Sequence, residues 1–211
     1  MKNFLIVASI MAMGCAGPRT VAPLAVYDFG SQRLSGGVSS TETPNNLLLR
    51  ASLLVAEATA PAWLDSTGIQ YRLAYDDLAQ SHAYARHRWA APPANLLTQR
   101  IRNLVAGISD GRVVSTADGA RTDHILRIEL GEFTQVFDTP GQSRVVVRFR
   151  ASLIDRATRS VIAQRSFSGE QPAPSPNAKG AVRGLTESSD KLIAELIGWL
   201  AQEIKENDVT G

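Results

Sequence analysis

The sequence predicts one α+β domain, built from a mostly antiparallel sheet with two main helices packed on one face. Apolar side chains recur at every second position in several segments and at helical spacing in two others, near residues 93–107 and 178–205. The strand segments come in runs and do not alternate with helices, which favours α+β over α/β. With 211 residues, 44% of them hydrophobic, the chain is long enough to bury a core.

The amino end has the pattern of an export signal. Lys2 supplies a positive charge, and residues 4–14 form an apolar run that is shorter than the roughly 20 residues a spanning helix needs. Residues 12–15 (AMGC) resemble a bacterial lipobox, which predicts signal cleavage between Gly14 and Cys15 and lipidation of Cys15, the single cysteine. The alternatives are an ordinary secretory signal with a stray cysteine, or a short core strand.

Three segments follow from this interpretation: a signal peptide over residues 1–14, a lipidated tether over 15–24 and a domain over 25–206. The tether contains glycine and proline and shows no periodicity. Two or more fatty acyl chains, such as palmitate, on one residue anchor a protein stably. By resemblance to bacterial lipoproteins, Ala16 after the cysteine implies the periplasmic face of the outer membrane.

The first half of the domain is predicted to open with a strand near residues 25–29, followed by a polar loop over 35–46. Residues 47–58 alternate as in a half-buried strand, although the same window also fits a helix. A further strand is expected over 69–75. Two prolines at 92 and 93 then open a helix that we place at 93–107.

The second half shows the clearest strands. After Leu126, Ile128 and Leu130, the apolar phase shifts at Gly131, which predicts a β-bulge. Residues 144–154 alternate fully, so one face is apolar and the other carries Arg144, Arg148, Arg150 and Ser152. A turn at 155–159 predicts a hairpin with 160–167. A proline-rich loop over 171–176 precedes a long amphipathic helix over 178–205.

Composition and motifs favour a protein without catalytic chemistry. The arginines are spread from Arg19 to Arg183 with acids between them, so we expect no nucleic-acid partner. The three histidines lack the i, i+4 spacing of paired metal ligands, and we expect no metal and no cofactor. His82 and His87 with Asp76 or Asp77 could form an acid–base cluster, but a solvated polar surface is the simpler interpretation.

Two groups of side chains are candidates for contact with a partner or a lipid. The arginine row on residues 144–154 must be solvated or meet anions, and its simpler interpretation is a charged face that keeps the sheet soluble. Tryptophans are most often core residues but can also form apolar contact surfaces. The candidate contact residues are Trp63, Tyr71, Arg72, Trp89, Arg148 and Arg150.

An ordered set of motifs resembles the ABC-type transport auxiliary lipoprotein family over roughly residues 25–200. The phenylalanine at 29, where leucine is commoner, and the long 35–46 segment depart from the family pattern. The motifs that carry the resemblance are residues 27–30 (YDFG), 60–65 (APAWLD), 69–72 (IQYR), 133–137 (FTQVF) and 151–155 (ASLID).

The resemblance implies a non-enzymatic lipoprotein of the outer membrane that docks a lipid transporter or receives lipid from it. The implied partners are an MCE-domain protein with its ABC ATPase and permease. Phospholipid and a second copy of the chain, in a homo-oligomer, are further candidates. The alternative function is a lipoprotein that assists outer-membrane or cell-wall assembly through protein contacts.

Overall fold

The structure is a computed structural model that describes residues 23–30, 51–108, 113–114 and 119–210. The predicted signal peptide, Cys15, the tether up to residue 22 and the predicted loop at 35–46 lie outside the described residues. Within them, eight strands form one sheet and two helices pack against it. The elements are β1 (Ala25–Tyr27), β2 (Leu53–Val55), β3 (Gly68–Leu73), β4 (Asp77–Trp89), α1 (Pro93–Ala106), β5 (Val113–Val114), β6 (His124–Thr139), β7 (Gln142–Asp155), β8 (Val161–Pro172) and α2 (Ala178–Thr210).

The long strand β6 organises the sheet. One of its edges pairs with β7 in antiparallel register along almost its whole length, and β7 pairs with β8 in the same way. Its other edge is shared, because β2 runs parallel to the first part of β6 and β3 runs parallel to the last part. Beyond β3 lie β4 and then β1, and beyond β2 lies β5. The longest pairings are antiparallel, as predicted, while β1–β4, β2–β5, β2–β6 and β3–β6 are parallel.

Both helices contribute to one hydrophobic core on one face of the sheet. α1 begins with Pro93 in its first turn, where a missing N–H costs no hydrogen bond, and it buries Leu97 and Ile101. α2 packs on β7 and β8, where the indole of Trp199 meets the ring of Phe167 edge to face at 5.9 Å. None of the helices in the described residues is long and apolar enough to span a bilayer.

Several predicted elements are confirmed, and others differ in their limits. Gly131 lies at a register shift between β6 and β7, which confirms the predicted bulge. The strand expected over 47–58 is limited to Leu53–Val55 among the described residues, with one further bridge at Thr59. The predicted 171–176 loop begins later, because β8 extends to Pro172. The segment before the two prolines forms the strand β4, which was not predicted, but most of its residues are exposed, as the interpretation of a solvated surface expects.

Candidate functional site

The face of the sheet that the helices leave open carries most of the candidate contact residues. Side chains alternate along β7, so Val147, Phe149 and Ala151 turn towards the helices and are buried. Arg148 and Arg150 point the other way and are exposed. We call this second side of β6, β7 and β8 the open face.

Two of the three arginines on the open face of β7 are neutralised by carboxylates. Arg150 forms an ion pair with Glu129 of β6. Arg144 forms ion pairs with Asp138 and, at 2.7 Å, with Glu170. These side chains are partly solvent-exposed, so the pairs contribute little to stability, but they leave neither Arg144 nor Arg150 with an uncompensated positive charge.

Arg148 is the exception. Its Nε donates a hydrogen bond of 3.3 Å to the hydroxyl of Ser168, and within the described part of the chain no carboxylate oxygen comes within 4.0 Å of its guanidinium. Glu132 lies directly opposite Arg148 in the β6–β7 register. The carboxylate of Glu132, however, lies beside Arg72 of β3, with 3.8 Å between Oε1 and Nε.

Arg72 is held in this position by its other contacts. Its Nη1 donates a hydrogen bond of 3.0 Å to the carbonyl oxygen of Leu78. Its guanidinium carbon lies 5.2 Å from the ring centre of Trp63, a distance at which a cation and an aromatic face attract each other. Trp63 keeps 40% of its surface exposed. An exposed indole, a guanidinium and a carboxylate therefore form a row beside Arg148.

A cavity of about 510 Å³ opens on this face at the bulge of β6. The segment between β2 and β3 forms one wall, and the three long strands form the floor. Its charged lining residues are Glu129, Arg148 and Arg150, and Ser166 and Ser168 add hydroxyl groups. The remaining lining residues are Thr59, Ala60, Pro61, Leu130, Gly131, Phe149 and Phe167.

The structure brings four of the six candidate contact residues to the open face: Trp63, Arg72, Arg148 and Arg150. Tyr71 lies on the opposite side of β3, where its ring stacks on His82 at 5.1 Å. Trp89 is 1% exposed and packs against Phe29 and Phe133 in the core. Trp89 as a contact residue was therefore a wrong prediction, since its side chain has no free surface.

Sequence reasoning missed the acids and hydroxyls of the site. Glu129 and Glu132 lie on β6, and their relation to Arg150 and Arg148 depends on the strand register. Ser166 and Ser168 flank the buried Phe167 on β8. That alternation was visible in the sequence and places both serines on the face that Arg148 occupies.

The histidine and aspartate cluster does not assemble as an acid–base site. The ring of His87 accepts or donates a hydrogen bond of 3.1 Å with the Tyr27 hydroxyl, and His82 stacks on Tyr71. The carboxylate of Asp77 accepts a hydrogen bond from the backbone N–H of Ala79. Each group is thus engaged with a different neighbour, and among the described residues neither histidine forms an ion pair with a carboxylate.

The hydroxyl of the half-buried Tyr84 belongs to a second polar cluster, under the helix-covered face. Tyr84 donates a hydrogen bond of 2.7 Å to Gln135 Oε1, and the Gln135 amide donates to Ser143 Oγ and to the carbonyl oxygen of Ser175. Burial, with a smaller contribution from Tyr71, raises the pKa of the Tyr84 phenol well above its ordinary value. This cluster is satisfied internally, so it has a structural role.

Comparisons with known proteins agree with the architecture. The sequence model of the ABC-type transport auxiliary lipoprotein component family matches residues 33–196. The crystal structure of protein XCC0632 from Xanthomonas campestris has a TM-score of 0.66 at 21% identity, over 76% of this chain and 89% of that chain. The crystal structure of an uncharacterized protein has a TM-score of 0.62 at 16% identity, over 84% and 99% of the two chains. Both likenesses show the fold. No curated protein matches the chain.

Proposed function

The chain belongs to the ABC-type transport auxiliary lipoprotein component family, and we propose that it is the outer-membrane lipoprotein of an MCE-type lipid transport system. In this proposal the domain docks the MCE-domain protein, which works with an ABC ATPase and a permease, or receives lipid from it. The role is non-enzymatic. We also propose that copies of the chain associate with one another at the membrane.

The observation that carries the proposal is the open face of the sheet. It presents an exposed tryptophan, Trp63, which contacts Arg72, and a cavity whose lining includes the uncompensated Arg148. Tryptophan and arginine are the residue types that dominate the binding energy of protein interfaces. The helix-covered face is fully used by the core, so a docking partner has the open face available.

The anchor is proposed from the sequence. Acyl chains on Cys15 would hold the chain at the membrane, and the tether between Cys15 and the domain has about nine residues. A flexible segment of that length spans roughly 2 nm on average. The domain would then work within a few nanometres of the outer membrane, which suits a receiving or docking role and not a span of the periplasm.

The non-enzymatic role rests on two supports. The family is described as an auxiliary component of transport. The residues that could have formed an acid–base site, His82, His87 and Asp77, are each engaged separately. We therefore propose that the protein acts by binding alone.

Site-specific photo-crosslinking in intact cells tests the partner. A photoreactive phenylalanine analogue replaces Trp63 on the open face of the full-length lipoprotein, and in a control strain it replaces Arg183, an exposed residue of α2. We expect crosslinks to the MCE-domain protein from position 63 and none from position 183. Crosslinks between copies of the chain would map the self-association.

Two results would contradict the proposal. Crosslinks from position 63 to cell-wall or outer-membrane assembly proteins would favour the alternative function. Crosslinks of equal strength from both positions would show that the open face has no special role. A Cys15→Ser strain tests the anchor separately, because the variant should leave the outer-membrane fraction while its domain stays folded.

A further inference from the structure

We propose that the cavity at the bulge of β6 binds the phosphate group of an anionic phospholipid, with Arg148 as its principal ligand. This inference rests on the proposed function and deepens it, because it names the substrate class and the residues that would hold it. It also gives the cavity a role separate from that of Trp63, which contacts Arg72 and does not line the cavity.

The first argument is charge. Within the cavity lining, the ion pair between Arg150 and Glu129 is neutral as a unit, so Arg148 leaves the lining with one uncompensated positive charge. An unpaired guanidinium attracts an anion by Coulomb interaction, and because Arg148 is exposed this attraction should weaken as the salt concentration rises. A phosphodiester carries one negative charge and therefore matches the site.

The second argument explains why Arg148 has no carboxylate. Glu132, its cross-strand neighbour, lies beside Arg72, and Arg72 is in turn fixed by Trp63 and the Leu78 carbonyl. Opposite charges directly across a ladder normally pair. Here Arg72 attracts the carboxylate of Glu132, so the guanidinium of Arg148 stays free to bind an anion.

The third argument is the hydrogen-bonding capacity of the site. The guanidinium of Arg148 has five N–H donors, and its contact with Ser168 uses one of them. The register places Ser168 opposite Arg148 and Ser166 opposite Arg150, so both hydroxyls lie on the floor of the same cavity. Arginine with serine hydroxyls is a donor set suited to a phosphate group, which accepts several hydrogen bonds at once.

The fourth argument is size. A cavity of about 510 Å³ lies in the range of small-molecule sites and greatly exceeds the volume of a free phosphate ion. Ala60 and Pro61 make part of its wall apolar, and Gly131 contributes no side chain. The cavity thus has room for a phosphate with its glycerol group and the first part of an acyl chain, which favours a lipid over the inorganic ion.

Calorimetric titration of the full-length protein in an uncharged maltoside detergent tests the site. The probe is dihexanoyl phosphatidylglycerol, kept below its micelle concentration. Arg148→Gln replaces an exposed charged side chain with a shorter neutral polar one, so the fold should persist. Arg86→Gln removes the same charge from an exposed residue of β4 outside the cavity and is the matched control. The probe partitions into detergent to the same extent with either variant, so partitioning does not affect the comparison between them.

We expect wild type and Arg86→Gln to bind the probe equally and Arg148→Gln to bind it about tenfold more weakly or worse, the effect of losing hydrogen bonds to a charged group. Gly131→Leu provides a second test, because it narrows the cavity with a bulky side chain and leaves the Arg148 side chain unchanged. A Cβ at position 131 would approach only the carbonyl oxygen of Arg148, at 3.8 Å, so the change is sterically tolerable there. This variant should also lose binding.

Equal affinity of Arg148→Gln and Arg86→Gln would overturn the proposal, and so would unchanged binding by Gly131→Leu. Inorganic phosphate is titrated in parallel, and if it binds as tightly as the lipid probe, the site is not a lipid site. These failures are distinct from failure of the proposed function. Crosslinks from position 63 to the transporter can form without lipid in the cavity, and lipid can bind through Arg148 when those crosslinks are absent.

Discussion

The two faces of β7 are built from neighbouring residues and serve different purposes. Phe149 is 3% exposed and stacks on Phe167 of β8 at 5.2 Å, whereas Arg148 and Arg150 on either side of it face solvent. The helix-covered face is specified by volume and apolarity, so its residues are replaceable only by residues of similar shape. On the other side Val136 and Val146 are also buried, but the part of the open face around Arg148 and Arg150 is specified by charge and hydrogen bonding. Stability and binding should therefore respond to different substitutions along one strand.

The largest expected loss of stability comes from a substitution on the helix-covered face. Phe149→Ala should lower the free energy of unfolding by about 3 to 5 kcal/mol, because it leaves a cavity beneath α2 and removes the contact with Phe167. Arg148→Gln, at the adjacent position, should change it by less than about 0.5 kcal/mol. Denaturant unfolding of both variants checks the comparison. A loss of similar size in both would show that the open face also carries the fold.

A second test adds a side chain between α2 and the helix-covered face of the sheet. Gly184 of α2 lies so close to β7 that a Cβ there would sit 2.9 Å from Cγ1 and 3.2 Å from Cγ2 of Val145. Gly184→Val should therefore cost about 2 kcal/mol through displacement of the helix. Gly198 of the same helix is open, with nothing within 4 Å of a Cβ. Gly198→Ala should stabilise the protein by up to about 1 kcal/mol, and thermal unfolding of the pair should show shifts of opposite sign.

The polar cluster under the helix-covered face gives a third, smaller effect. Tyr84→Phe removes the donor to Gln135 Oε1, and Gln135 is fully buried. An unpaired buried acceptor costs about 1 kcal/mol or somewhat more, which denaturant unfolding near neutral pH would measure. Gln164, whose amide donates to Ser152 Oγ on the open face, gives an exposed comparison. Gln164→Ala should cost less than Tyr84→Phe.

The raised pKa of Tyr84 predicts that the stability of the protein depends on pH. The pKa of the tyrosine is raised in the folded state, so folding favours the neutral phenol. This contribution to stability is complete below the ordinary tyrosine pKa of about 10 and is lost as the pH rises towards the folded pKa. The advantage of wild type over Tyr84→Phe should therefore shrink as the pH rises from about 10 to about 11. An advantage that stays constant over this range would show that the phenol is not desolvated.

Local patterns predicted the helix-covered face well. The alternation along β7, the bulge at Gly131 and both helices could be identified because apolar periodicity records which side chains are buried. β4 was missed for the same reason, since small and polar side chains such as Ser81, His82 and Ala83 give no apolar alternation. Its half-buried face is formed by tyrosine and histidine rings that contact one another.

The open face was predictable only in part. The sequence indicates that Arg148 and Arg150 share a side, but their different environments depend on which acids lie opposite them on β6. That register is fixed by the bulge and by long-range pairing, which no local pattern encodes. The general preference of tryptophan for the core indicated the position of Trp89, but the local sequence could not separate it from the exposed Trp63.

The smallest expected effect on stability comes from the ion pair between Arg150 and Glu129 on the open face, which should matter more for lipid binding than for folding. Arg150 and Glu129 form an ion pair with side chains 50% and 43% exposed, so Arg150→Gln should change the free energy of unfolding by roughly 0.5 kcal/mol or less, and high salt should remove the difference. Yet the variant leaves Glu129 unpaired in the cavity lining, where its negative charge would oppose that of a bound phosphate. Arg150→Gln should therefore weaken binding of dihexanoyl phosphatidylglycerol while the double variant Arg150→Gln/Glu129→Gln restores much of it. A double variant that binds no better than the single one would mean that Arg150 contacts the lipid directly, and the division of roles between the two arginines would have to be redrawn.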